Sequence, residues 1–127
     1  PVNRRDREYL LPIVQKLHEL GFKLYATEGT SKFLDGHSIP NTVVNKLGEG
    51  RPDISDMIKN HDLQLIINTP KDRSEKLDDS YIRMMAIQQH IAYMTTIAAA
   101  VATVAGIAAA RSNAILPKSL QEYQSGK

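Results

Sequence analysis

The chain predicts an α/β fold, a parallel sheet with helices on both faces, and three observations carry that prediction. Short runs of β-branched and large apolar residues, "FKLYA", "TVV", "LII" and "IAYM", recur along it. Segments suited to helices lie between them, by apolar spacing of three and four residues or by composition. Polar residues collect just after each run: Thr27 and Thr30, Asn45 and Lys46, Asn68 and Thr69, Thr95 and Thr96. Strands alternating with helices at short intervals favour a parallel sheet covered on both sides. In such sheets ligand groups gather at the carboxyl ends of the strands.

The elements follow in order. Residues 6–20 read as a helix, because Leu10, Leu11, Val14, Leu17 and His18 fall on one face. Gly21 stops it at the favoured position past the last turn. Pro12 objects, since an interior proline lacks an amide donor and clashes with the preceding turn. The helix therefore either starts near Tyr9 or tolerates a kink. Residues 22–26 form a short strand, after which Thr30 or Ser31 caps a helix running to about residue 35. Ile39-Pro40 is a turn, and residues 42–44 are a second short strand. Residues 45–53, "NKLGEGRPD", are a loop with two glycines and a proline. Asp53 or Ser55 opens a helix to about residue 60. Residues 65–67 are a buried strand, 71–80 a charged loop, 81–90 a helix and 91–95 a short strand. From 96 to 110 alanine and valine dominate, and alanine's propensity favours helix.

The 127 residues fit one domain. The opening "PVNRRDREYL" suggests a piece of a longer polypeptide. No cysteine is present, which excludes disulfides, thiolate metal sites and cysteine nucleophiles and is compatible with the cytoplasmic location expected here. The net charge of +2, without a basic block, argues against nucleic acid as a partner. The least polar stretch, residues 95–110, is too short to span a membrane securely, and no signal-peptide layout precedes it. His18, His37, His61 and His90 show no metal-ligand spacing with carboxylates, so no metal site is expected. The tyrosines are spread along the chain and form no base-stacking platform.

The stretch "ATEGTSKFL", residues 26–34, is the most distinctive polar loop. A helix amino end presents unpaired amides, and glycine lets a backbone approach an anion closely. Thr27 and Thr30 can add hydroxyl donors around Gly29. The plainer alternative is that Thr30 caps the helix and Gly29 relieves the turn. The loop lacks the glycine spacing and Gly-Lys-Thr/Ser ending of a P-loop. Lys46, after a strand, is either a point-charge partner for phosphate or solvated surface charge. Arg7 stands near a helix start, where a cation is mildly disfavoured, and would suit a facing anion. Arg51 either anchors its loop or reaches a ligand. Asn68 either pairs with a ligand or forms the turn before Pro70. Asp53 and Asp56 are explained by the helix field, and Asp72, Asp78 and Asp79 have no evident proton-transfer partner.

Taken together, "LHELGFKLYATEGTSKFL", "VNKLGEGRPDISDMIKN", "LIINTPKD" and "YIRMMAIQQHIAYMTTIAAAVA" resemble the methylglyoxal-synthase-like domain. The likeness is greatest to its regulatory branch, found at the C-terminus of carbamoyl-phosphate synthase large chains, and covers about residues 5–110. The tail "ILPKSLQEYQ" is similar to that branch's terminal strand and short helix. The resemblance implies a Rossmann-like three-layer sandwich with a five-stranded parallel sheet, whose first strand would end near residues 1–3. It implies a pocket for a nucleotide effector such as UMP or IMP. Thr27, Gly29, Thr30, Lys46 and Arg7 would hold the phosphate. Asn68, Thr69 and Arg51 would lie by the base or ribose. Tyr93 and Thr95 would lie at the ornithine-linked interface with the rest of the synthase. The domain itself would be non-catalytic and free of cofactor. The parent would use ATP and magnesium, with a glutaminase small subunit as partner and possible self-association. Pro70 replaces a threonine often found there in the family. The alternative within the family, methylglyoxal synthase acting on dihydroxyacetone phosphate, carries a glycine-glycine-aspartate segment where this chain has "NTPKD". Asp72 would be its surrogate base.

Overall fold

The computed structural model of the chain describes residues 2, 4–69 and 73–114. A 3₁₀ turn, Arg4–Asp6, leads into α1 (Arg7–Glu19). Then follow β1 (Tyr25–Ala26), α2 (Glu28–Gly36), β2 (Thr42–Val43), α3 (Ile54–Lys59), β3 (Leu65–Ile67), α4 (Arg73–Gln88), β4 (Ala92–Met94) and α5 (Ile97–Ala114). The alternation expected from the sequence is present, and both strand pairs are parallel. Tyr25 and Ala26 register with Thr42 and Val43. Leu65, Ile66 and Ile67 register with Ala92, Tyr93 and Met94. Each pair is joined by a crossover helix, α2 or α4, as parallel neighbours require.

The pleat sorts β3 between two layers. Ile66 joins Ile58 of α3 and Ile82, Met85 and Ala86 of α4. Leu65 and Ile67 point the other way, against Ile13 and Leu17 of α1 and Ala100 and Val104 of α5. A second cluster on α1 ties Leu10 and Val14 to Ala26 and to Leu34 of α2. Helices therefore cover both faces, in an α/β, Rossmann-like arrangement.

Several boundaries differ from expectation, each for a local reason. α1 begins at Arg7 with Pro12 inside it, so the proline is neither in the first turn nor the stop. The stop is Gly21, whose φ of 91° permits paired closing bonds: its amide to the His18 carbonyl and that of Phe22 to the Leu17 carbonyl. α2 begins at Glu28, with Thr27 as the residue before it. The expected cap at Thr30 or Ser31 is therefore three to four residues late, and both residues lie inside the helix. Part of the expected charged loop at 71–80 is the start of α4, which begins at Arg73. Its polar residues misled the reading because Leu77 and Asp78 are exposed while Asp79 is turned inward. The five-stranded sheet appears, among the described residues, as two two-stranded ladders. A single parallel bridge from Val2 to Thr69 adds to the second of them. Pro70, Asp72 and the tail "ILPKSLQEYQ" lie outside the described residues. Among those described, no helix is long and apolar enough to cross a membrane.

Candidate functional site

One cavity of about 170 Å³ runs along β1 and β3, from Phe22 and Asp62 to Thr27 and Asn68, so that the carboxyl ends of the two strands form one end of it. Thr27, Thr30, Lys46, Asn68 and Asp78 line it, together with apolar residues of both strands. The structure thus brings together four residues that the sequence singled out from three separate strand ends.

The first wall is the start of α2. Thr27 is buried and extended there (φ −69°, ψ 164°), and its hydroxyl makes no capping bond. Its carbonyl accepts from the Ser31 amide at 2.8 Å. Gly29 follows in the first turn. A Cβ built on it would lie 2.6 Å from Nη2 of Arg7, so the guanidinium rests on this turn only because no side chain is there. Arg7 is steadied by Nε donating to the Val2 carbonyl at 3.3 Å. The Thr30 hydroxyl accepts from the Val2 amide at 3.4 Å. Glu28 turns outward and pairs with Lys32, one turn on, at 3.1 Å. The amino end of α2 is thereby left with a positive neighbour, Arg7, and with its one carboxylate directed to solvent.

Lys46, half-buried, is carried by the loop at 45–53, and that loop is knotted around Asp53. The Asp53 carboxylate accepts from the Gly48 amide at 3.0 Å, from the Ser55 hydroxyl at 2.5 Å and from the Asp56 amide at 3.1 Å. Asp56 returns the bond by accepting from the Asp53 amide at 2.8 Å, which makes a reciprocal capping box for α3. Burial alone would push the Asp53 carboxyl up. The bonds from Ser55, Gly48 and Asp56 outweigh it and bring the pKa from 3.8 down to about 2. Arg51 belongs to this knot: its guanidinium bonds Asp56 at 2.7 Å and its side chain is largely exposed. It anchors the loop and does not line the cavity.

The opposite wall is the end of β3. Asn68 is 2 % exposed. Its amide nitrogen donates to Asp79 Oδ1 and to the Tyr93 hydroxyl, each at 2.9 Å. The Tyr93 hydroxyl donates in turn to Asp79, and Arg83 holds the second Asp79 oxygen at 3.2 Å. Arg83 also lies 5.6 Å above the Tyr93 ring. Burial first, then the Asp79 carboxylate, push the Tyr93 phenol far above the ordinary tyrosine range, against the pull of Asn68 and Arg83. Asn68 Oδ1 is buried without a hydrogen-bond partner, a condition that costs about 1–3 kcal/mol. Thr69 is buried at the Val2 bridge and Thr95 is half-buried after β4. Neither lines the cavity.

Sequence reasoning missed Asp79. The signal available was Arg83 four residues later, the spacing of a helical ion pair, but it was hidden by reading residues 71–80 as loop. Among the described residues, no group of three or more His, Asp or Glu side chains converges as a metal site.

The family model for the MGS-like domain matches residues 9–95. The chain belongs to the MGS-like domain family. Its similar relatives are synthase chains. The carbamoyl phosphate synthase large chain of Methanocorpusculum labreanum is 43% identical over 124 residues, 98% of this chain and 12% of that relative. Two relatives are described as the C-terminal section of that large chain. The one from Aquifex aeolicus is 42% identical over 103 residues, 81% of this chain and 19% of its own length. The one from Methanopyrus kandleri is 40% identical over 123 residues, 96% of this chain and 23% of its own. This MGS-like chain thus spans 12% to 23% of the length of these three relatives.

Proposed function

We propose that this MGS-like domain is the allosteric effector-binding domain of a carbamoyl-phosphate synthase large chain, and that it binds the phosphate of a nucleotide. The observation that carries the reading is the seating of Arg7 on Gly29 in the first turn of α2, beside a cavity shared by Thr27, Thr30, Lys46 and Asn68. A phosphate placed there would meet the unpaired amides and positive end of a nine-residue helix. Arg7 offers it a planar fork of donors and Lys46 a point charge. Asn68, with Thr69 behind it, forms the wall toward the base or ribose.

The domain breaks and makes no bond on this reading. Its effector biases two arrangements of the parent by binding them unequally, which is all that regulation requires. The parent would make carbamoyl phosphate from glutamine or ammonia, bicarbonate and ATP, for pyrimidine and arginine synthesis in the cytoplasm. The ATP and magnesium belong to the rest of that parent, as does the glutaminase subunit. Tyr93 and Thr95 would face the other synthase domains. The sheet would be five-stranded. The parallel bridge from Val2 to Thr69 supports a further strand beside β3.

Calorimetric titration of the full chain with UMP, IMP, UTP and inorganic phosphate tests the reading. Saturable nucleotide binding that inorganic phosphate weakens by competition is expected. Release of methylglyoxal from dihydroxyacetone phosphate would overturn it in favour of the enzyme branch of the family.

A further inference from the structure

We propose that the outer face of α4 docks a second copy of this chain, and that the two α4 helices lie parallel in the pair. The inference stands apart from the effector reading. Among the described residues, four of the seven exposed large apolar side chains lie on this one helix: Leu77, Tyr81, Met84 and Ile87, at 68%, 45%, 51% and 65% exposure. Scattered singly, such side chains are ordinary. Spaced three and four residues apart on a helix, they form one continuous stripe, and continuous apolar patches mark interaction surfaces. The stripe is not the core face, because Ile82, Met85 and Ala86 point inward, against Ile58 and Ile66. α4 thus carries apolar side chains on two faces, of which the domain covers one.

The stripe fits a copy of itself. Leu77, Ser80, Met84 and Ile87 have the alternating spacing of a helix–helix seam, the a, d, a and d positions of two heptads. Ser80 is the polar member, and its hydroxyl donates to the Lys76 carbonyl at 3.2 Å, so burying it strands no donor. Lys76 and Arg83 border the seam at g positions, Tyr81 and Gln88 at e positions. In a parallel pair each g side chain meets the partner's e side chain of the following heptad. Lys76 then faces the partner's Tyr81 ring, a cation over an aromatic face, and Arg83 faces the partner's Gln88, a donor beside an acceptor. An antiparallel pair with the same layers would set the two Arg83 guanidiniums side by side. The seam and its borders hold no Asp or Glu. Arg83 is already held by Asp79 at 3.2 Å, so this surface does not call for an acidic partner. α4 has 16 residues, about 24 Å of length, which is short of a standard interface. The pair is therefore weak and depends on concentration.

Sedimentation velocity on the full chain over a concentration series is the test. Self-association half complete at about 100 μM is expected, in keeping with a small interface. Met84→Glu and Met84→Lys should each raise that concentration at least tenfold, with urea unfolding of the monomer unchanged. Residue 84 meets its own copy in the parallel pair, so mixing the two variants should restore association to within about threefold of wild type. Cross-linking reads the same geometry, because the chain has no cysteine of its own. Under glutathione disulfide, Ser80→Cys should form a linked pair, whereas Lys59→Cys, exposed on α3, should not. A wild type that stays monomeric at ten times the expected concentration overturns the inference and leaves this face to another partner. Association untouched by Met84→Glu overturns it too. Loss in both variants without restoration on mixing overturns the parallel arrangement. Should a Met84 variant not fold, Ile87→Glu and Ile87→Lys, at the next seam position, give the same readings.

Discussion

The two walls of the cavity are built on different principles. At β3 the polar side chains are tied to one another: Asn68, Tyr93, Asp79 and Arg83 form one connected, mostly buried network. At α2 they are held by backbone and by shape. Arg7 bonds a main-chain carbonyl and rests on a glycine, and Thr27 leaves its hydroxyl out of the helix cap. A network of the first kind supports the fold and is costly to break. A site of the second kind keeps its donors for a ligand, and changes there should affect binding more than folding. The loop at 45–53 lies between the two cases, because the Asp53 knot is structural while Lys46, which it carries, lines the cavity.

Substitutions at four positions sharpen that difference. Asp79→Ala should have the largest effect on stability. It leaves Arg83, the Tyr93 hydroxyl and one Asn68 donor without their acceptor, and should lower the free energy of unfolding by about 2–3 kcal/mol in urea titrations. Asp53→Ala should cost about 1–2 kcal/mol by removing the α3 cap. The same carboxylate makes folding acid-sensitive. Its folded pKa of about 2 lies below the unfolded value of 3.8, so its contribution is complete above about pH 4 and is lost as pH falls through 2. After allowance for screening near the surface, that contribution is on the order of 1 kcal/mol, and Asp53→Asn should flatten the stability profile between these pH values. At α2 the balance reverses. Gly29→Ala should change stability by less than about 1 kcal/mol, since Arg7 can swing aside. It should nevertheless weaken phosphate binding about tenfold by displacing that guanidinium. Glu28→Gln should change stability by no more than about 0.5 kcal/mol, because its partner Lys32 is as exposed as it is.

Much of this was legible in the sequence, and the exceptions share a cause. The strands at Thr42–Val43 and Leu65–Ile67 and the glycine stop at Gly21 are encoded within a few residues, and each was readable. The convergence of Thr27, Thr30, Lys46 and Asn68 followed from strand ends being neighbours in a parallel sheet. The start of α2 was misplaced because two hydroxyl residues, Thr27 and Thr30, both suit a cap, and only the contact of Thr30 with Val2 separates them. The role of Asp79 was invisible because it depends on Tyr93 and Asn68, which are 14 and 11 residues away along the chain. Arg51 could not be assigned from composition, since an arginine beside a proline serves a loop or a ligand equally well until Asp56 is seen against it.

The central claim is that the α2 end of the cavity grips a phosphate. Titration of the full chain and of Lys46→Ala with UMP, alongside urea unfolding of both, tests it most directly. The account predicts saturable binding by the wild type, a loss of tenfold or more in Lys46→Ala, and unfolding free energies that agree within about 0.5 kcal/mol. Equal UMP affinity in the two proteins, with both folded, would contradict it.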